Sequence, residues 1–327
     1  MSKTLHRRWI RPHRLIGVGG ILLITVALAV ALMPWPKAVT VRMSVPERTL
    51  SATFYIAMDK GFLRDEDVRV EVTVPVTGKA GLQMLTAGSM DLAMVAGMPV
   101  IDAILHGQPL WILAAVGHSD RYVGLAVPAD VERFEQLQGK RVAVTPGTTS
   151  DLFVRTMLSS VGLTPTDVAW VSLQPDEMPH ALARGDVDVA STIEPFLTQT
   201  AAALPGSRVL YSDGTFLDYW LLVASPALVR TQPKVVQKIL SAFMKAAYYI
   251  HQSPDESKRL VGRHLSVPQN DWQVTDFSLQ LDRLLARTMA AHATVAHGGR
   301  QELPDFQRYF YYPGLQSIRG AAVTVAP

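Results

Sequence analysis

The chain has 327 residues, 48% apolar and 18% charged, which is the composition of a globular protein with room for two domains. It contains no cysteine, which excludes disulfides, thiolate metal sites, a cysteine nucleophile and a lipid anchor on cysteine. Six of the 31 basic residues and none of the 28 acids lie before residue 38, which leaves 25 basic and 28 acidic residues in the remainder. A mildly acidic domain has no electrostatic basis for binding nucleic acid, so no nucleic-acid partner is expected.

The first 37 residues predict a signal peptide or a membrane anchor. Basic residues precede the apolar run Leu15 to Met33, and the first acid is Glu47. Ala29 and Ala31 offer a small-x-small cleavage pattern, but the apolar run is also long enough to cross a bilayer as a helix. Both outcomes stay open: cleavage would release the exported protein, and retention would tether it to the membrane.

From residue 38 onward, strand-like and helix-like segments alternate, which is the pattern of an α/β fold with parallel sheets covered by helices on both faces. The predicted strands are 39–45, 68–76, 91–95, 110–116, 122–127, 141–145, 169–173, 187–192, 208–211 and 220–224. The predicted helices are 52–60, 79–87, 99–106, 151–161, 176–184, 195–204, 233–252 and 255–265.

This order of elements predicts two α/β lobes joined by two hinge crossovers, near 117–122 and 214–220, with a helical C-terminal tail that packs back on the first lobe. The predicted divisions are 1–37 for the signal or anchor, 38–120 for the first lobe, 121–218 for the second lobe and 219–327 for the return to the first. Ligands of open α/β sheets bind beyond the C-terminal ends of strands. The cleft between the lobes is therefore the predicted site.

Four motifs carry a resemblance to a known family. They are FYIAMDKGFLRDEDVRVEV (54–72), AGSMDLAMVAGMPVIDAILHGQPL (87–110), LQGKRVAVTPGTTS (137–150) and ALARGDVDVASTIEPF (181–196). In order and spacing they resemble the periplasmic substrate-binding proteins of ABC importers, in the branch for sulfonates, taurine, nitrate and pyrimidine precursors. The resemblance spans residues 40–320. It implies a two-lobed type 2 periplasmic-binding-protein (Venus-flytrap) fold, no catalysis, and delivery of a captured solute to a membrane permease.

The turn after the predicted strand 141–145 is the strongest candidate binding site. It carries Thr148, Thr149 and Ser150 at the start of a helix, where hydroxyls, free backbone N–H groups and the helix dipole all favour an anion. The alternative is simple N-capping by Thr149 or Ser150. Asp151 follows directly, and its carboxylate would repel an anion if it faced the cleft.

Two strand-to-helix junctions in the first lobe are the matching candidates. Thr77 and Gly78 form one, and Ala96 and Gly97 form the other. Glycine at such a junction lets a ligand approach the backbone, and the following helix supplies N–H donors. The alternative is that both glycines serve the geometry of the turn alone.

Five further residues complete the predicted site. Glu194, at another junction, would accept from a ligand amine or hydroxyl, or else cap its own helix. Arg121, at the first crossover, would pair with an anionic group, or else lie at the hinge or surface. Ser51 and Thr53 start the first helix, and Trp220 near the second crossover would stack on a ligand, or else belong to the core.

Three functions follow from these features. The first is a monomeric solute receptor for an ABC importer, without cofactor or metal, that closes on a small polar or anionic organic solute such as a sulfonate. The second is a membrane-anchored envelope sensor or partner-presenting protein with the same fold. The third is an enzyme similar to the thiamine-pyrimidine synthases, against which the lack of their cysteine-rich motif argues. The sequence leaves the charge of the solute open.

Overall fold

The computed structural model describes residues 38–266, 272, 275–299, 302–318 and 323–325. The predicted signal or anchor therefore lies outside the described residues. None of the helices in the described part of the chain is both long enough and apolar enough to cross a membrane.

The described strands fall close to the predicted ones as far as residue 224. They are β1 (Val39–Ser44), β2 (Val68–Thr73), β3 (Leu92–Ala96), β4 (Trp111–Ser119), β5 (Val123–Val127), β6 (Arg141–Val144), β7 (Ala169–Ser172), β8 (Val189–Ile193), β9 (Arg208–Leu210), β10 (Asp218–Ala224), β11 (Thr275–Asp276), β12 (Leu279–Leu281) and β13 (Val323–Val325). The last three strands were not predicted from the sequence, because each is too short to show an alternation of apolar and polar residues.

The helices follow the predicted order. They are α1 (Ala52–Asp59), α2 (Phe62–Asp65), α3 (Gly78–Thr86), α4 (Gly97–Leu105), α5 (Thr149–Ser160), α6 (Met178–Arg184), α7 (Phe196–Ala202), α8 (Pro226–Thr231), α9 (Pro233–Gln252), α10 (Pro254–Gly262), α11 (Arg283–His297) and α12 (Tyr312–Gln316). Apolar residues at helical spacing explain α9, which buries Val236, Ile239, Phe243 and Ile250 and packs against α1.

The larger of two sheets has the strand order β13-β12-β4-β10-β3-β1-β2, with β11 also beside β4. Strand β1 runs parallel to β2 and β3, but β10 lies antiparallel between β3 and β4. The sheet that the alternation predicted as parallel is therefore a mixed sheet. The chain leaves this sheet at the end of β4, passes through the second lobe and re-enters the sheet at the same end along β10, so the two strands run antiparallel.

The smaller sheet has the order β7-β6-β8-β5-β9. Here β6 is parallel to β7 and β8, whereas β5 is antiparallel to β8 and β9. The two mixed sheets with their helices form the predicted two-lobed α/β fold. Strand β4 ends at Ser119 and β5 begins at Val123, close to the first predicted crossover; the domain boundaries themselves stay predictions.

Helix α11 is the element that the sequence analysis missed most completely. It packs against α4 beside the larger sheet and against α5 beside the smaller one. His292 of α11 stacks on Phe216 with ring centroids 5.0 Å apart, and Phe216 in turn contacts Phe153 of α5. The C-terminal part of the chain therefore packs on both lobes, and not on the first alone.

Gly81 of α3 lies so close to β1 that a side chain has no room. An added Cβ would stand 2.1 Å from Ser44 Oγ and 3.3 Å from Pro75 Cγ. We expect Gly81→Ala to lower the free energy of unfolding by about 1–3 kcal/mol, measured by urea denaturation, because the buried Ser44 side chain and its surroundings must shift. Gly262→Ala is the matched control, since a Cβ there meets nothing within 4 Å. Equal losses in the two variants would contradict this account.

Candidate functional site

A pocket lies between the two sheets and is lined by residues of both lobes. The lobe of the larger sheet supplies Thr77, Gly78, Lys79, Ala96, Pro99 and Trp220. The lobe of the smaller sheet supplies Tyr122, Thr145, Thr148, Thr149, Ser150, Pro175, Thr192 and Ile193. Seven of the residues nominated from the sequence are among these.

The turn between β6 and α5 brings its three hydroxyl residues to the pocket together. Thr148 is the N-cap residue, and its Oγ1 donates to the carbonyl of Thr145 at 2.7 Å and lies 3.0 Å from Ser150 Oγ. Ser150 Oγ accepts from the backbone N–H of Thr145 at 3.1 Å. The helix begins at Thr149, two residues earlier than predicted, so Thr149 and Ser150 belong to its first turn.

Asp151 does not line the pocket. Its carboxylate accepts from the backbone N–H of Gly147 at 3.0 Å and from Arg155 Nε at 2.7 Å. Both partners belong to its own turn and helix, and the guanidinium balances its charge. Asp151 therefore does not face the cleft and does not repel a ligand anion there.

The residues at the two junctions of the first lobe shape the local backbone, and three of them also line the pocket. Thr77 Oγ1 accepts from the backbone N–H of Ala80 at 3.2 Å and so caps α3. An added Cβ on Gly78 would lie 3.0 Å from Val95 Cα, so the close packing of α3 on β3 requires glycine there. Thr77, Gly78 and Ala96 line the pocket, whereas Gly97 lies just outside its lining.

Lys79 is a pocket residue that the sequence analysis missed. It is half-buried, and its Nζ donates to the carbonyl of Pro146 at 3.1 Å, from one lobe to the other. Among the described residues that line the pocket, it is the one charged side chain. A cation in the first turn opposes the helix dipole, and α3 has no acid there to offset it. That mismatch was the signal in the sequence.

Trp220 and Thr192 bring buried hydrogen-bonding groups to the pocket. Each side chain is about 1% exposed. Neither Trp220 Nε1 nor Thr192 Oγ1 has a hydrogen-bond partner among the residues that the structure describes. Trp220 also contacts Tyr122 edge to face, with ring centroids 5.7 Å apart. Trp220 was nominated from the sequence and Thr192 was not.

Asp218, the first residue of β10, was also missed. Its carboxyl is buried and accepts from Thr149 Oγ1 at 3.2 Å, which joins the two lobes. The backbone N–H groups of Gly97 and Tyr219 also donate to it. Burial is the main cause that raises the pKa of Asp218, to about 7. An acid at the head of an entirely apolar strand was the available signal.

Ser51 and Thr53 are buried in α1 and its preceding turn, away from the pocket lining. Ser51 Oγ donates to the carbonyl of Pro46 at 2.8 Å. The structure therefore does not bring these two side chains to the other candidate residues.

Glu194 and Arg121 also lie outside the pocket lining. The Glu194 carboxylate accepts from Thr198 Oγ1 at 2.9 Å, one turn into its own helix, as in the capping alternative. Arg121 pairs with Asp213 at 3.5 Å and stands over the ring of Tyr211 at 4.6 Å. Across the described parts of the chain, no group of three His, Asp or Glu side chains is arranged to hold a metal ion.

The buried Asp218 carboxyl predicts a pH-dependent stability. Its pKa is raised in the folded state, so between about pH 4 and pH 7 the folded state binds more protons than the unfolded state. The free energy of unfolding should therefore fall as pH rises through that window. We expect Asp218→Asn to lack this pH dependence. Above pH 7 its free energy of unfolding should exceed that of the wild type by on the order of a few kcal/mol. Urea denaturation across the window measures both proteins.

A parallel pH dependence in wild type and Asp218→Asn would contradict the assignment. Thr149→Val serves as a control, because it removes the hydroxyl that bonds to the carboxyl but leaves the carboxyl in place. The Thr149→Val protein should retain the fall in stability, displaced to higher pH, since the hydroxyl lowers the pKa of Asp218.

Comparisons with known proteins identify the family and the fold. The family model described as NMT1/THI5 like matches residues 48–257. A Bacillus subtilis (strain 168) protein, provisionally named an aliphatic sulfonates-binding protein, is 28% identical over 77% of this chain and 76% of its own length. The taurine-binding periplasmic protein of Escherichia coli (strain K12) is 24% identical over 72% of this chain and 76% of its own length.

Among solved structures, the alkanesulfonate-binding protein SsuA of Xanthomonas axonopodis pv. citri, bound to MOPS, superposes with a TM-score of 0.70. The alignment covers 85% of this chain and 99% of that one at 17% identity, which establishes a shared fold. The predicted fold class and family resemblance are confirmed. The family model covers well over half of the chain, and the protein therefore belongs to the NMT1/THI5-like family.

Proposed function

We propose that this protein is the solute-binding component of an ABC importer and that it captures a small organic anion of the sulfonate class between its two lobes. The names of its relatives support the class of solute. The chemistry of the pocket supports it independently. One observation carries the proposal: the pocket offers two buried hydrogen-bonding groups that have no partner among the described residues, beside the cation of Lys79.

Those groups define the complementary ligand. Trp220 Nε1 can only donate, and a buried donor without a partner is costly, so a ligand that places acceptors there is favoured. Lys79 adds a positive charge, and its ammonium has donors beyond the one bound to Pro146. A sulfonate carries three acceptor oxygens, a negative charge and no proton to donate. It matches this set better than an amine or an alcohol does.

The pocket lining favours an anion over a cation, a choice that the sequence leaves open. Asp151 and Glu194 are held by groups of their own helices, and neither lines the pocket. Arg121, the cation expected there, is paired with Asp213. In this proposal Lys79 takes the role that the sequence analysis assigned to Arg121.

Binding would be coupled to lobe closure. Lys79 and Trp220 come from one lobe, and Thr192 with the hydroxyl turn comes from the other. A ligand that contacts both sets stabilises only the conformation in which they face each other. Contacts such as Arg48 over the Phe196 ring, at 5.5 Å, also join the lobes in this conformation. The permease would recognise the closed form.

We further propose that the protein binds without catalysing a reaction and acts on the periplasmic side of the inner membrane. The names of the relatives, as binding proteins and as a periplasmic protein, support both statements. Residues 15–33 would serve as the export signal or as a tether to the inner membrane.

Calorimetric titration tests the charge and class of the ligand. We expect ethanesulfonate and taurine to bind and to raise the melting temperature, and ethylammonium to do neither. Lys79→Met should weaken sulfonate binding about tenfold or more, because a charge-assisted hydrogen bond is lost. Lys234→Met, at an exposed lysine of α9, is the matched control and should bind as the wild type does. Binding of ethylammonium, or equal effects of the two variants, would contradict the proposal.

Thr192→Val separates a ligand contact from a structural contact. The substitution preserves shape and removes a buried hydroxyl that has no partner among the described residues. We expect the free energy of unfolding of the ligand-free protein to stay the same or rise by about 1 kcal/mol, because an unsatisfied group is removed. Sulfonate affinity should fall roughly fivefold to tenfold. A loss of stability with unchanged affinity would show that the hydroxyl is structural.

A further inference from the structure

Strand β2 ends the larger sheet, and its outer edge has no strand partner among the described residues. Its sequence, VRVEVT, places Val68, Val70 and Val72 on one face and Arg69 with Glu71 on the other. Val72 is 40% exposed. An open edge of this kind presents unpaired backbone groups that can pair with another strand.

The backbone of β2 shows which residues face outward. The carbonyls of Asp67 and Thr73 accept from Val39 and Val45 of the neighbouring β1 segment. Backbone groups alternate between the two sides of a strand, so residues 69 and 71 also face β1. The N–H and C=O groups of Val68, Val70 and Val72 therefore point away from β1; Val68 is 4% exposed, Val70 is half-buried and Val72 is exposed.

The strand is complementary to itself in the antiparallel direction. A two-fold axis through Val70 sets Val70 against the same residue of a second copy and Val68 against Val72. All three then offer outward backbone groups for hydrogen-bonded pairs. The same register sets Arg69 against Glu71 twice, as oppositely charged neighbours across the strands. Arg69 and Glu71 are both exposed, and within the chain Glu71 lies opposite Arg42 of β1, whose guanidinium is hydrogen-bonded to Asp91.

The acids before β2 do not oppose this pairing. Glu66 lies 2.7 Å from Lys245 Nζ, and Asp67 lies 3.4 Å from Lys238 Nζ, so α9 neutralises both. Asp67 has a φ of 55°, a left-handed turn that ends the extended segment there. The self-complementary stretch is therefore residues 68–72.

We propose that two copies of this chain associate through β2, in antiparallel register about Val70, to form one continuous sheet. This replaces the monomer expected from the sequence. The interface is short, so the dimer is weak and dependent on concentration. A two-fold pairing uses each open β2 edge once, and assembly stops at the dimer. The pocket lies beyond the paired residues and keeps its own ligand contacts.

Charge reversal with rescue tests the register. Sedimentation of the full-length protein in detergent should show a monomer–dimer equilibrium that weakens at high salt. Arg69→Glu should raise the dimer dissociation constant roughly tenfold or more, because two attractive pairs become repulsive. The double variant Arg69→Glu/Glu71→Arg should restore it. A wild type that stays monomeric, larger assemblies, or a double variant no better than the single one would overturn the proposal.

A cross-link provides a second measurement that does not depend on dimer strength. The chain has no cysteine, so a single Val70→Cys substitution reports one contact. The Cα atom at this position would lie about 5.5 Å from its counterpart, within reach of a disulfide. Val74→Cys is the control, since the same register separates the two copies of that residue by roughly 26 Å. A disulfide-linked dimer of the Val74→Cys variant, with none of the Val70→Cys variant, would refute the register.

Ligand titration separates this test from that of the pocket. Arg69 lies on β2 and does not line the pocket, so Arg69→Glu should bind ethanesulfonate as the wild type does. If Arg69→Glu weakens the dimer but leaves ethanesulfonate affinity unchanged, the result supports the proposed interface and does not bear on the pocket. A loss of ethanesulfonate binding in Arg69→Glu would contradict the independence of the two surfaces.

Discussion

The antiparallel insertion of β10 between β3 and β4 is the constraint on which the rest of the structure depends. It returns the chain from the second lobe to the centre of the larger sheet, and every residue of the strand is buried. Its first residues stand where the two lobes meet. Asp218 reaches Thr149 in the opposite lobe, and Trp220 lines the pocket beside Ala96, its neighbour on β3. The strand that completes the core of one lobe thus also contributes a residue to the pocket between the lobes.

The pocket brings a buried donor, a buried hydroxyl and a cation together in one place. A buried indole N–H and a threonine hydroxyl without described partners are each costly, by about 1–3 kcal/mol. Lys79 sits at the unfavourable end of a helix dipole. These local costs share one feature: an anion with several acceptor oxygens would relieve all of them together. An unsatisfied donor, an unsatisfied hydroxyl and an uncompensated cation that line one cleft together are typical of a functional site.

The sequence was a good guide where local rules decide the structure. The strand–turn–helix at 141–160 was recognisable from its β-branched run, its Pro-Gly turn and its hydroxyl residues, and all three hydroxyl side chains line the pocket. Trp220 was identified from its place near a crossover. Lys79 was overlooked because a lysine in a helix normally faces water, and Asp218 because the direction of β10 decides which groups surround it. The antiparallel direction of β10 and the position of α11 across both lobes depend on long-range packing, which local periodicity does not encode.

A crystal structure of the protein with taurine bound tests the central claim most directly. The account predicts the sulfonate group between the lobes, with its oxygens within hydrogen-bond distance of Trp220 Nε1, Thr192 Oγ1 and Lys79 Nζ. A taurine molecule bound outside the cleft, or one whose ammonium group occupies that position, would contradict it.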